Sequence, residues 1–367
     1  MRKLFIILSV ILLFITACGN GADEKAYEVD DAYESEGQPR DSYDDPDDAE
    51  LVVIYEYEDV HDISEAIYAL AEFASYYFGR LQEAWDDDNG EMWGVRLHTP
   101  VIIFCWDTNA TAANYRDPEG EFERLDIDGV VVYVGERPHR FISFYRHDWG
   151  DRTGIFKSYQ MMTEPGWVTL GVYWEDRSAV SLLQINHYVM HILQPEIMGV
   201  HGADMQYGVA RTNYILEITA LVHAINSSGD ERVRAVHDAL SIRNERREIY
   251  DTGINDNLIT LSEGTAIYTE LHMVLNRYEI ERAIQNWPRW LVLQRCASQI
   301  ATTYGYMAGA LYGMLLDAFE VDWRSDIQYD TDLGLLLQEA LGITEFIPLD
   351  RIDLERYGYS EIVASYQ

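Results

Sequence analysis

A chain of 367 residues with 63 acidic and 27 basic residues carries a formal charge of −36, which repels phosphate backbones and argues against a nucleic-acid partner. Only Cys18, Cys105 and Cys296 contain thiols, so no disulfide framework is implied. Lysine occurs only at Lys3, Lys25 and Lys157, and arginine supplies nearly all the positive charge.

The N-terminal stretch reads as a targeting segment. Arg2 and Lys3 precede the apolar run Leu4 to Ala17, which is short for a membrane-spanning helix and fits a signal peptide over residues 1–17. It ends in Ile15-Thr16-Ala17-Cys18, which resembles a bacterial lipobox. That resemblance implies lipidation of Cys18, an extracytoplasmic location and anchoring to the bacterial cell membrane. Residues 18–50 read as an acidic disordered tether. From Asp23 to Glu50 there are 13 acidic and two basic residues and no apolar period, so the segment cannot offset its ordering entropy. With the tether's −11 and the leader's +2 set aside, the remainder still carries −27.

The remainder divides into an α/β part, 51–175, and a mostly helical part, 176–367. Ile63, Ile67, Leu70, Ala74, Tyr77, Phe78 and Leu81 recur at helical spacing and predict a helix over about 62–85. Strand signals follow at 99–106, 129–134, 141–145, 155–162 and 166–174. Asp176 is placed to cap a helix that Pro195 should end at Gln194. Further helices are expected at 207–226, 230–249, 257–275 and 288–319, the last with Pro288 in its first turn. Gly305, Gly309 and Gly313 fall four apart there. Gln294, Arg295, Gln299, Thr302 and Thr303 interrupt the apolar run, so the glycines predict close helix packing in a soluble core rather than in a membrane.

The chemistry centres on His187 and His191. Two histidines four apart lie on one helix face and can share a tetrahedral Zn²⁺. Glu217, on the next predicted helix, is positioned to fold back and complete a two-His, one-Glu set with an open fourth position. Such spacing arises readily by chance among 10 histidines. Taken alone it favours two histidines packed in a helical core.

Several segments in order carry a more specific signal. The stretch from Leu182 to Gly199, with His187, His191, Gln194 and Pro195, resembles the active helix of an uncharacterised bacterial family of gluzincin-type metallopeptidase-like proteins. Arg211, Glu217, Ala220 and Leu221 match a second segment of that family, and Glu263, Gly264, Ala266 and Tyr268 match a third. Upstream, Met92 to Pro100, Ala113 to Gly120 and Val134 to Pro138 match as well, so the resemblance spans about 62–320. It implies an α+β, zincin-like fold: an N-terminal helix plus a mixed β-sheet half, followed by a mostly α-helical half. It also implies Zn²⁺ ligands at His187, His191 and Glu217.

One position departs from the pattern. Tyr188 stands where the family has the Glu that accepts a proton from the attacking water. A phenol of pKa near 10 is a poor base at neutral pH. Glu175, Glu196 and Glu263 are the candidates for a substitute base, and the sequence places none of them near the metal. The expectation is therefore a surface-anchored lipoprotein with a degenerate zinc-peptidase domain that binds a peptide or protein. An active zinc hydrolase with an unconventional base is the first alternative, and a metal-free structural or ligand-binding lipoprotein the second.

Overall fold

The computed structural model describes residues 63–105, 110–115, 117, 121–136, 160–161, 168–172, 182–199, 210–250, 253–294 and 297–365. Cys18, the leader, the tether, Asp176, the 141–145 strand signal, Cys296 and the 175/176 boundary lie outside them. The protein is α+β with helices predominating.

Helix α1 (Ile63–Asp88) follows the predicted apolar period, burying Ala66, Leu70, Ala74, Phe78, Leu81 and Trp85. It packs across a sheet of β1 (Val101–Cys105), β2 (Ala110–Ala113), β3 (Glu123–Ile127), β4 (Val130–Glu136), β5 (Gln160–Met161) and β6 (Val168–Val172). The spatial order is β3-β4-β2-β1-β6-β5. β3, β4, β2 and β1 pair antiparallel, whereas β6 runs parallel to β1, with Ile103 opposite Leu170. Central β1 is wholly buried, as its continuous run Val-Ile-Ile-Phe-Cys requires. Cys105 is thus a buried free thiol.

The helical half comprises α2 (Leu182–Met198), α3 (Arg211–Asn226), α4 (Gly229–Tyr250), α5 (Gly253–Val274), α6 (Arg277–Ile284), α7 (Trp287–Leu293), α8 (Ala297–Ala318), α9 (Leu333–Ala340) and α10 (Tyr359–Ala364). Two expectations fail here. Pro195 does not end α2; it lies inside it, and the helix runs on to Met198. Proline forfeits one backbone hydrogen bond. Burial of Met198 and the fixed side chain of Gln194 offset that loss. The helix expected over 288–319 is two, α7 and α8, because Gln294 takes an extended backbone conformation after Leu293.

The most extensive helix contact is α5 on α8. A Cβ on Gly309 would stand 2.6 Å from Gly264 Cα, and one on Gly264 would stand 3.0 Å from the Gly305 carbonyl. Only glycine permits this approach. The stripe at 305, 309 and 313 is therefore a helix-packing face, as expected. No helix among the described residues is long and apolar enough to cross a membrane. Among the described residues the main hydrophobic core runs from α1 through the sheet into the helices, and a small second cluster of Ile102 and Ala113 lies apart from it. Two buried tryptophans join the halves: Trp85 Nε1 donates to Asn186 Oδ1 at 2.8 Å, and Trp93 Nε1 to Thr269 Oγ1 at 3.0 Å.

Candidate metal centre

Helix α2 turns His187 and His191 to one face, as their spacing requires, and α5 lies against that face. Three ligand atoms converge between the helices. His191 Nε2 is 3.0 Å from His187 Nε2 and 3.1 Å from Glu263 Oε2, and His187 Nε2 is 3.5 Å from the same oxygen. Donors held about 2.0–2.2 Å from a tetrahedral zinc stand roughly 3.3–3.5 Å apart, so the observed triangle is close to the right size. Among the described residues this is the one group of three metal-ligating side chains that meets.

The outer nitrogens also face acceptors, in a hydrogen-bond contact for His191 and an ion-pair contact for His187. His187 Nδ1 lies 3.1 Å from Glu270 Oε2, and His191 Nδ1 lies 2.9 Å from Gln194 Oε1. Outer partners of this kind fix the ring orientation and tautomer of metal-binding histidines. His187 is fully buried, with its ring parallel to that of Tyr306 on α8 at 6.0 Å. His191 and Glu263 are partly exposed, so the cluster opens to solvent on their side.

The electrostatics favour a cation. Burial opposes charge on His187, but Glu263 and Glu270 outweigh it and push its pKa up to about 9. Burial likewise opposes the Glu263 carboxylate, yet His191 and His187 hold it well below the usual carboxylate range. Burial pushes Glu270 upward. Two carboxylates around facing imidazole lone pairs suit a proton or a divalent metal ion.

Glu217 is not part of this group, and the expectation that it is the third ligand is corrected. Its carboxylate is fully buried elsewhere. Oε2 accepts from Arg246 Nη2 at 2.8 Å, and Oε1 accepts from Tyr304 at 2.7 Å and from Tyr312 at 2.8 Å. Arg246 also binds Asp256 and stacks on Tyr214 and Tyr304. A carboxylate paired with a buried guanidinium and held by two phenols is fixed in its own network and does not meet the histidines. Glu263 takes its place at the histidines.

Tyr188 packs in the core at 4 % exposure, edge-on to His187 with ring centroids 5.6 Å apart. It brings no carboxylate to the cluster. Of the substitute bases considered, Glu196 is exposed on α2, Glu175 lies outside the described residues, and Glu263 occupies a ligand position.

Sequence reasoning missed Glu270 as well as the role of Glu263. They are seven residues apart on α5, two turns along one face, and Gly264 beside Glu263 marks a close helix contact. That combination was the available signal. Trp93 and Tyr268, which the family resemblance also singles out, pack edge-on to each other, and the Tyr268 hydroxyl is held by Asp317 and Arg324.

No family model, curated protein or solved structure matches the chain.

Proposed function

We propose that the protein is a lipid-anchored, extracytoplasmic lipoprotein whose helical half is a degenerate, zincin-like zinc site. In this reading His187, His191 and Glu263 hold Zn²⁺, and the site binds a peptide or protein segment rather than cleaving it efficiently. The observation that carries the reading is the triangle of two imidazole nitrogens and one carboxylate oxygen, with edges of 3.0, 3.1 and 3.5 Å. Zinc held there supplies Lewis-acid polarisation of a carbonyl. The chain's own residues orient the ligands. Tyr188, at the position where the resemblance places the base, is a buried phenol and a poor base at neutral pH.

The reading is tested by peptide hydrolysis on the zinc-loaded full chain. Wild type and Tyr188→Phe should both be slow or inactive. Tyr188→Glu should gain on the order of 10²–10⁴ in rate, the usual contribution of a positioned acid–base group. Efficient cleavage by wild type that is lost in Tyr188→Phe would overturn the binding role and make the tyrosine catalytic.

A further inference from the structure

Gln194 is buried at 2 % exposure, one turn beyond His191, and its amide is held from both ends. Its Nε2 lies against the Ser262 carbonyl and 3.0 Å from Thr265 Oγ1. A carbonyl can only accept. Thr265 spends its hydroxyl proton on the Leu261 carbonyl, so toward Gln194 it too can only accept. Both neighbours therefore require the amide NH₂, and the orientation of Gln194 is not free. Its Oε1 is left facing His191 Nδ1 at 2.9 Å, and an amide oxygen can only accept. His191 must then carry a proton on Nδ1. In the neutral ring the lone pair is on Nε2, the atom that faces His187 Nε2 and Glu263 Oε2.

The same side chain sets the spacing of the two ligand-bearing helices. Ser262 and Thr265 flank Glu263 on α5, so the hydrogen bonds from Gln194 fix where that carboxylate stands relative to α2. Gln194 also precedes Pro195, where the helical conformation is disfavoured. Its buried bonds help keep that residue helical.

We propose that Gln194 is a positioning residue of the metal centre: through one amide it selects the His191 tautomer that presents Nε2 to a divalent cation and fixes Glu263 at the third corner. This inference rests on the zinc-site reading above and adds a residue that touches no metal. Loss of such an outer partner typically weakens metal binding 10- to 100-fold.

The test uses the full chain in detergent with two readouts. The first is Zn²⁺ affinity by competition with a chromophoric chelator. The second is the ¹⁵N imidazole spectrum of the chelator-treated protein at mildly alkaline pH, with His191 assigned through His191→Gln. Wild type should bind zinc and show His191 protonated on Nδ1. Gln194→Leu should bind 10- to 100-fold more weakly and lose the Nδ1-protonated signature. Gln194→Glu keeps an acceptor toward His191 while losing both donors. It should keep the tautomer, bind zinc less tightly than wild type, and serve if the leucine variant fails to fold. A residue that only stabilised the fold would lower the melting temperature in both variants without moving the imidazole spectrum. Wild-type zinc affinity in Gln194→Leu with an unchanged spectrum would overturn the inference and leave the zinc reading standing. If wild type binds no zinc, the zinc reading falls, and an Nε2-protonated His191 in wild type would overturn the inference with it. Nδ1 protonation lost in Gln194→Leu would uphold the tautomer role even then.

Discussion

Glu217 accepts a 2.8 Å hydrogen bond from Arg246 with both side chains fully excluded from solvent. Removing one partner of such a pair leaves the other charge buried and uncompensated, which costs about 3–5 kcal/mol. Glu217→Ala should therefore lower the unfolding free energy by roughly that amount in chemical denaturation. The fraction that folds should retain its metal content, because Glu217 does not reach the histidines. Loss of zinc from a fully folded Glu217→Ala protein would contradict the assignment.

Gly309 and Gly264 face each other across the α5–α8 contact. A methyl group on Gly309 would meet the Thr260 carbonyl and would stand 2.6 Å from Gly264 Cα. These are backbone atoms and cannot swing aside. Gly309→Ala should destabilise by at least the ~1–3 kcal/mol typical of overpacking. Gly342, whose Cβ would meet nothing within 4 Å, is a control for strain alone, since its φ is +64°. A Gly309→Ala protein as stable as wild type would show that the helices do not pack this closely.

Asp332 is clasped by Arg243 and Arg247, each at 2.6 Å. Burial alone would raise its pKa, but the two guanidinium groups hold it well below the usual carboxylate range. A depressed folded-state pKa contributes stability that is present above the unfolded value, near 3.9, and lost as pH falls through the folded one. Asparagine keeps the hydrogen bond that caps α9 through Leu335 N. Asp332→Asn should thus be less stable than wild type at neutral pH, with the difference shrinking as pH drops below about 4. A difference that stayed constant through that range would mean that the ion pairs contribute nothing.

Cys18 lies outside the described residues, and its role rests on the Ile-Thr-Ala-Cys segment. Cys18→Ala should release the protein from membranes or stall its processing in cell fractionation. A variant that matures and sediments with membranes like wild type would exclude the lipid anchor.

Much of the architecture was legible because it followed simple periodicities. The apolar repeat from Ile63 to Leu81 fixed α1 to within a few residues of its observed limits. The run 101–105 marked the central strand. Strand β2 went unread because Ala-Thr-Ala-Ala lacks the bulky side chains that signal a strand, and β3 because Glu-Arg-Leu-Asp-Ile is a mostly exposed, charged edge. Helix α6 escaped notice although Asn276 and Glu279 form its capping box. The histidine pair was legible because both residues sit on one helix. The third corner was not. Glu217 and Glu263 are both buried or partly buried carboxylates on later helices. What separates them is tertiary: Arg246 and Tyr304 reach one, and His187 and His191 the other.

In the proposed zinc site Glu263 is the third ligand beside His187 and His191. The most direct measurement is zinc per chain, by elemental analysis of full-length protein purified in zinc-replete buffer without chelator, for wild type, Glu263→Ala and His187→Ala. Wild type should carry about one zinc and both variants essentially none, and zinc should raise the melting temperature of wild type alone. A wild type without zinc would reduce the cluster to hydrogen-bonded core histidines. One zinc retained in Glu263→Ala would place the third ligand elsewhere and contradict the centre described above.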